Sequence, residues 1–447
     1  MTRFAPSGPL RGELRPPPDK SISHRAALIG AMSDGVVEVE GYLDSADTQS
    51  TRLAVQQLGA DVKRSQTGRR DAIDLMLTGI GLRGPGERAG EGTEGIDVGN
   101  AGTLLRLLPG WLAGQPGGVW NLDGDESIRR RPVDRIAEPL ALMGAVIECR
   151  NGRLTPVRVE GSSLEGISYR MPVASAQVKS CLLLAGLLAE GETQVTEPAP
   201  TRDHTERMLA AWGADVRSEP LRTVPTVGGG PFRRITVRRA ERLDGGRVVV
   251  PGDFSSAAFV LVAATIVDGS RVRVEGVGLN ETRIGLLGIL NRMAAPIEVE
   301  ERPEAVEPVG AIVARHGPLE ATRVHAEEVA LTIDELPLVA LLGCFAEGTT
   351  VVSGAEELRH KESDRIATVV EGLRSLGAEI EARSDGFEVE GRGELRGGTL
   401  KAAGDHRLAM LGAVAGLGSR NGVEVDGAEA AAVSYPGFFD DLGRVTA

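Results

Sequence analysis

The sequence predicts an α/β protein of six strand–helix–strand–helix–strand repeats, three in each of two lobes, with helices inward and sheets outward. Three observations predict it. Five segments end alike: QQLGADVKR from Gln56, ALMGAVIEC from Ala141, AAWGADVRS from Ala210, NRMAAPIEV from Asn291 and RSLGAEIEA from Arg374. They recur every 70 to 85 residues or so, and self-similarity at a steady spacing marks a repeated structural unit. A polar turn followed by an Ala/Leu-rich helix, a Gly and a strand occurs six times. The composition agrees, because 59 Gly and only 3% aromatics call for many tight turns around a core of Ala, Leu and Val.

The shared endings each read as the last turn of an amphipathic helix, a Gly or Ala at the exit, and a β-branched strand. Gly suits that exit because a left-handed cap carries no Cβ penalty there. The six copies of the second signature are SISHRAALIGAMSDGVVEVEG, NAGTLLRLLPGWLAGQPGGVWNLDG, ASAQVKSCLLLAGLLAEGETQVTEP, DFSSAAFVLVAATIVDGSRVRVEG, DELPLVALLGCFAEGTTVVSG and DHRLAMLGAVAGLGSRNGVEVDG. Their apolar residues fall at helical steps of three and four, and the strands alternate, as at Val272 and Val274. A helix as apolar as 181–189 is stable only when covered on most sides, which a shell of sheets provides. The last copy is expected to be truncated, with SYPGFFDDLGRVTA in place of the second helix. An ordinary α/β protein with coincidental repeats is the alternative.

The 447 residues allow two or three domains. With 50 basic against 63 acidic residues the chain carries a charge of −13, which argues against general binding to nucleic acid or anionic membranes. A few converging Arg and Lys residues still permit an anionic small-molecule ligand. Cys149, Cys181 and Cys344 show no metal-ligand or CxxC spacing and read as free thiols in a reducing compartment. The N-terminal stretch lacks the apolar core of a signal peptide, and no run of 18 apolar residues occurs, so a cytoplasmic protein is expected.

The first helix of each repeat opens on a polar, charged turn. Helix N-termini present unpaired N–H groups and a positive dipole end, suited to phosphate or carboxylate. In PPPDKSISHR, Ser21 is expected as N-cap, Arg25 one turn on, and Lys20 just before the helix. GNAGTLLR from Gly99 makes a turn at Asn100, Gly102 and Thr103 where backbone can approach a ligand. In GDESIRRRP, Pro132 holds Arg131 extended and best placed to project into a cleft. VASAQVKS offers Ser175 and Gln177 at a helix entrance, and TRDHTERML carries Arg202. Each fragment alone also reads as a capped, solvated helix end. The last third is more telling. TIDELPLV sets Asp334 at the start of an apolar helix. In HKESDRIATVVEGLRSLG, Glu362 and Arg365 precede Ile366 and Val369 by four residues and extend the inward stripe. DHRLAM places Asp405, His406 and Arg407 at the head of a nearly all-apolar helix, where an Arg needs an anionic partner. A ligand or an internal Asp could fill that role.

Taken together, DKSxSHR, NAGTxxR, RP after an Arg-rich turn, SAQVKS, TRDHTE, TIDE, KESDR and DHRxAM occur in an order that resembles the 5-enolpyruvylshikimate-3-phosphate synthase family over essentially the whole chain. The resemblance implies the two-lobed enolpyruvyl transferase fold. One lobe is then expected at 22–249, inserted into a second made of 1–21 plus 250–447, with hinge crossovers near 21 and 250. It implies transfer of the enolpyruvyl group of phosphoenolpyruvate to the 5-hydroxyl of 3-phosphoshikimate, within chorismate and aromatic amino acid biosynthesis. Carried over by position, 3-phosphoshikimate meets Lys20, Ser21, Arg25, Ser175, Gln177, Arg202, Asp334 and Lys361. Phosphoenolpyruvate meets Lys20, Gly102, Arg131, Gln177, Arg365 and Arg407. Asp334 takes the hydroxyl proton, Glu362 protonates the methylene carbon, and Lys20 relays protons. The cationic flank of Glu362 (Lys361 and Arg365) is awkward for a proton donor, which leaves Lys20 as the alternative donor. No metal or organic cofactor is implied, since phosphate leaves and Arg and Lys meet its charge. A monomer acting on small molecules is expected.

The chain departs from the family's pattern at Val433, where many members carry Lys, and at Leu107, where some carry Pro. Gly102 is retained, so sensitivity to glyphosate is expected. UDP-N-acetylglucosamine enolpyruvyl transferase shares the fold but uses a loop Cys, and 110–131 contains none. RNA 3′-phosphate cyclase would need a basic groove, and a non-catalytic anion-binding protein on the same fold is the remaining alternative.

Overall fold

The computed structural model describes residues 1–88, 93–221, 232–302 and 306–446. The chain divides into two compact units, Pro18–Val250, and Met1–Pro17 with Pro251–Ala447. Each unit holds three of the six helices that the second signature predicts. The first contains Lys20–Ala31, Gly102–Ala113 and Ala176–Gly186; the second contains Phe254–Ile266, Leu336–Phe345 and His406–Gly418. These helices are the cores of their units. All of Phe254–Ile266 is buried, as Ala, Val, Leu and Phe on every face require.

Each helix is covered by a mixed sheet. In the first unit, strand Val119–Asp123 lies parallel to Thr93–Asp97 and antiparallel to Leu154–Glu160, which pairs with Val146–Arg150. The same arrangement recurs in the other two sheets of the unit and in two of the second. Each full repeat therefore carries one strand more than the sequence pattern indicates, the return strand of a terminal hairpin. In the sheet of the first repeat, the parallel edge comes from Arg247–Val249, at the far end of the unit. In the second unit, Arg11–Leu14 plays that part beside Arg271–Gly278.

The last repeat differs from expectation. A second helix is present, Phe438–Thr446, with Phe438, Leu442 and Val445 making an inward stripe. What is missing is the following hairpin. The N-terminal strand Thr2–Phe4 stands antiparallel to Val423–Asp426 instead, and Gly398–Lys401 lies parallel on the other side. The helix exits carry the left-handed residue that the shared endings imply, with φ of 110° at Gly59, 96° at Gly144, 92° at Gly213 and 99° at Gly377. The fourth copy keeps the geometry without the glycine: Ala294 has φ 59°.

Candidate active site

In the first unit, Asp19 rather than Ser21 caps the opening helix, its carboxylate accepting from the Ile22 N–H at 2.9 Å. Lys20 is therefore the first helical residue, not the one before the helix. Its Nζ pairs with Asp47 Oδ2 at 2.9 Å. Burial opposes ionisation of Asp47, but Lys20, together with His24 and Arg131, outweighs it and holds the carboxyl below its usual range. Arg25 turns into the interior. It donates to Thr205 Oγ1 at 2.7 Å, to Ser180 Oγ at 2.9 Å and back to the Ser21 carbonyl at 3.0 Å.

Gly102 is the first residue of its helix, and a Cβ there would stand 3.0 Å from Arg131 Nη1 and 3.3 Å from Arg106 Nη1. The absence of a side chain thus lets two guanidinium groups close over the helix end. Arg131 donates to Asn100 Oδ1 at 3.1 Å, and Arg106 donates to Gln177 Oε1 at 3.0 Å, while Gln177 Nε2 reaches Thr103 Oγ1 at 3.2 Å. Ser175 is the N-cap of Ala176–Gly186, accepting from the Val178 N–H. Arg202 is half-buried in the segment before His204–Ala211. Lys20, Gly102, Arg131, Ser175, Gln177, Arg25 and Arg202 thus all stand at, or one turn inside, helix N-termini or the segments leading into them.

Beneath them lies a buried ion cluster with no counterpart in the residues picked from sequence. Lys179, 1% exposed, meets Glu206 at 2.7 Å and Glu197 at 3.0 Å, and donates to the Thr201 carbonyl at 3.3 Å. Glu197 in turn accepts from Thr201 Oγ1 at 2.7 Å. Burial works against the charge on Lys179, but the two carboxylates outweigh it and raise its pKa above the ordinary lysine range. The signal was a lone Lys inside an otherwise apolar helix.

The second unit gathers the other candidates. Asp334 Oδ1 lies 3.6 Å from Arg365 Nη1 and 3.9 Å from Lys361 Nζ, and its Oδ2 lies 3.5 Å from Arg407 Nη2. Arg365 is buried and opens the helix Arg365–Ser375, with Asp364 as the cap. Glu362 precedes that helix rather than extending its inward stripe, and its side chain remains about one-third exposed while accepting from Arg365 at 2.6 Å. The carboxylate nearest the Arg407 guanidinium of DHRLAM is Asp334, while the motif's own Asp405 serves Arg365. Asp405, fully buried, accepts from Arg365 Nε at 2.8 Å and also caps its own helix through the Arg407 N–H at 2.9 Å. Burial opposes ionisation of Asp405, and Arg365 overcomes it.

Arg407 stands apart from Arg365. Its Nη2 touches Asp334 and, at 3.3 Å, Ser255 Oγ, while its Nε is buried without a partner. Ser255 also accepts from Arg283 Nη2 at 2.8 Å and donates to Glu335 Oε1. Arg283 is paired with Asp253 at 2.9 Å and Glu335 at 3.3 Å. Burial pushes the Glu335 carboxyl up against the pull of Arg283. No local pattern announces Arg283, Glu335 or Ser255, because three separate segments bring them together. Of the two departures, Val433 is exposed and Leu107 is buried in the first unit's core.

Arrays of Arg and Lys at helix ends bind small anions carrying carboxylate or phosphate, and carboxylates set among them can move protons at such a ligand. Among the described residues no group of His, Cys, Asp and Glu has a metal-binding arrangement, and no helix is long and apolar enough to cross a membrane.

Comparison with known proteins gives the family. The EPSP synthase (3-phosphoshikimate 1-carboxyvinyltransferase) profile matches residues 4–442. The chain is 47% identical over 440 residues to the 3-phosphoshikimate 1-carboxyvinyltransferase of Synechococcus sp. strain WH7803, covering 98% of this chain and 96% of that one. It is 47% identical over 447 residues to that of Thermus thermophilus, covering 100% and 99% respectively. Among solved structures it resembles EPSP synthase from Acinetobacter baumannii, with TM-score 0.85, 39% identity, and coverage of 99% of this chain and 97% of that one. The enolpyruvyl transferase NikO from Streptomyces tendae shares the fold at TM-score 0.71 and 17% identity, covering 99% of this chain and 96% of that one.

Proposed function

The chain belongs to the EPSP synthase (3-phosphoshikimate 1-carboxyvinyltransferase) family, and on that footing we propose that it transfers the enolpyruvyl group of phosphoenolpyruvate to the 5-hydroxyl of 3-phosphoshikimate, releasing phosphate. The observation that carries the mechanism is the setting of Asp334, a carboxylate with Lys361, Arg365 and Arg407 within 3.5 to 3.9 Å of its oxygens. Asp334 takes the proton of the 5-hydroxyl as that oxygen bonds to the phosphate-bearing enol carbon of phosphoenolpyruvate. A proton from Glu362, or from Lys20, is added to the methylene carbon, giving a tetrahedral adduct. Loss of phosphate, with return of a proton from the new methyl group, restores the enolpyruvyl double bond. Acid–base groups of this kind contribute about 10²–10⁴-fold each.

In this reading Lys20, Ser21, Arg25, Ser175, Gln177 and Arg202 serve 3-phosphoshikimate, and Gly102 and Arg131 serve phosphoenolpyruvate. Lys20 and Gln177 serve both substrates. Lys361 serves the acceptor as well, and Arg365 and Arg407 serve the donor. Planar Arg forks suit carboxylate and phosphate, which is why three of the donor's contacts are Arg. Arg365 already commits its donors to Asp405 and Glu362, so it acts chiefly as a fixed charge. The monomeric, cytoplasmic state expected from sequence is part of the same proposal, and light scattering tests the first half of it.

Acceptor choice tests the reading. Mass spectrometry should detect an enolpyruvyl ether when phosphoenolpyruvate is supplied with 3-phosphoshikimate, and none with UDP-N-acetylglucosamine. The reverse result would reassign the chain within its fold.

A further inference from the structure

Ser255 lies at the head of the helix Phe254–Ile266 and is 2% exposed. A hydroxyl has one proton to donate and two lone pairs. All three are engaged here by charged groups. The proton goes to Glu335, and the lone pairs take Arg283 Nη2 at 2.8 Å and Arg407 Nη2 at 3.3 Å. The first two partners are fixed: Glu335 and Arg283 are both buried, and Arg283 is tied to Asp253 as well. Arg407 is held by fewer ties. Its remaining side-chain contact is Asp334 at 3.5 Å, longer than a hydrogen bond, and its Nε has no partner.

We infer that Ser255 is a positioning residue, which holds the Arg407 guanidinium off Asp334 and leaves its Nε unpartnered for an anionic group of the enolpyruvyl donor. The inference rests on the proposed reading, in which Arg407 serves phosphoenolpyruvate and Asp334 is the base. Without the hydroxyl, Asp334 is the nearest side-chain partner left to Arg407 among the described residues. The guanidinium then closes onto that carboxylate and has to be pulled away again when the donor binds. Arg283 keeps its pairs with Glu335 and Asp253, so the charged frame around position 255 stays in place, although Glu335 Oε1 loses its hydroxyl donor.

The test is a double-mutant cycle with Ser255→Ala and Arg407→Lys in the full chain, reading KM for each substrate, kcat and Tm. Ser255→Ala should raise KM for phosphoenolpyruvate about 10-fold or more, the usual worth of a hydrogen bond to a charged group. KM for 3-phosphoshikimate should stay within about 2-fold, and Ser255→Thr, which keeps the hydroxyl, should recover most of the loss. In the Arg407→Lys background, Ser255→Ala should change KM for phosphoenolpyruvate by less than about 2-fold, because the group it orients is gone. Effects that multiply instead, or a Ser255→Ala chain whose two KM values rise together as Tm falls, would overturn the inference and leave the function standing. An unsubstituted chain that consumes no phosphoenolpyruvate would remove both.

Discussion

Lys179 and Glu206 meet at 2.7 Å in the interior of the first unit, with their side chains 1% and 9% exposed. Glu197 completes the cluster, so a single buried Lys answers two carboxylates and fixes Thr201 beside Arg202. Lys179→Met should therefore cost about 3–5 kcal/mol, the usual effect of stranding buried charge. Lys179→Met combined with Glu206→Gln should recover part of that loss. Urea denaturation of both variants measures it, and a Lys179→Met chain as stable as the parent would contradict the assignment.

Ala294 differs from its counterparts in the other repeats. It sits at φ 59° where four other helix exits have Gly, and it is exposed, so no packing depends on its methyl group. Ala294→Gly relieves a left-handed strain of about 1–2 kcal/mol and loses some of that gain to chain entropy. A net gain of up to about 1 kcal/mol is expected in the same denaturation assay. Loss of stability would show that the strain is absent.

His24 sets an acid limit on the first unit. Burial lowers its pKa from 6.5 to about 3; Asp47 opposes that shift, while Lys20 and Arg25 add to it. Its ring accepts or donates one hydrogen bond, to Thr51 Oγ1 at 2.6 Å. Because the folded pKa lies below the unfolded one, the unfolded chain binds the extra proton. Stability is therefore complete above about pH 6.5 and falls as pH drops toward 3, by at most about 1.4 kcal/mol per unit. His24→Gln should flatten the fall between about pH 6.5 and pH 4 by close to one proton's worth. An unchanged slope would mean that His24 is charged in the fold.

Gly102→Ala places a Cβ 3.0 Å from Arg131 Nη1. The guanidinium is the far end of a flexible side chain, so it yields by a few tenths of an ångström and the fold survives. KM for phosphoenolpyruvate should rise several-fold while Tm holds, and inhibition by glyphosate should weaken with it. A parent chain unaffected by millimolar glyphosate at limiting phosphoenolpyruvate would rule out the second half.

Periodicity and punctuation exposed the helices of this fold. The six Ala/Leu-rich runs could be placed because each begins at a polar cap and follows a helical period, and the shared endings marked the Gly exits. The return strands, such as Ala72–Thr78, were missed because a short alternating segment looks the same in a loop or at a sheet edge. Phe438–Thr446 was missed because the segment is short and opens on a Pro-Gly turn and two aromatics, a weak helical signal. At the site, residue types were legible and partners were not. Arg407 at the head of an apolar helix announced that a carboxylate was needed, but its approach to Asp334, 73 residues away, and the pairing of Arg365 with Asp405 are decided by packing. Arg283, Glu335 and Ser255 left no trace at all, since nothing in their local sequence sets them apart from ordinary cap residues.

Asp334 as the base of an acceptor-dependent transfer is the centre of the proposed function. The direct measurement is phosphate release from phosphoenolpyruvate, with and without 3-phosphoshikimate, by the unsubstituted chain and by Asp334→Ala. Release that requires 3-phosphoshikimate, and that the substitution cuts by at least about 10²-fold, is the expected result. Release without the acceptor, or an Asp334→Ala chain that turns over at the parent's rate, would contradict it.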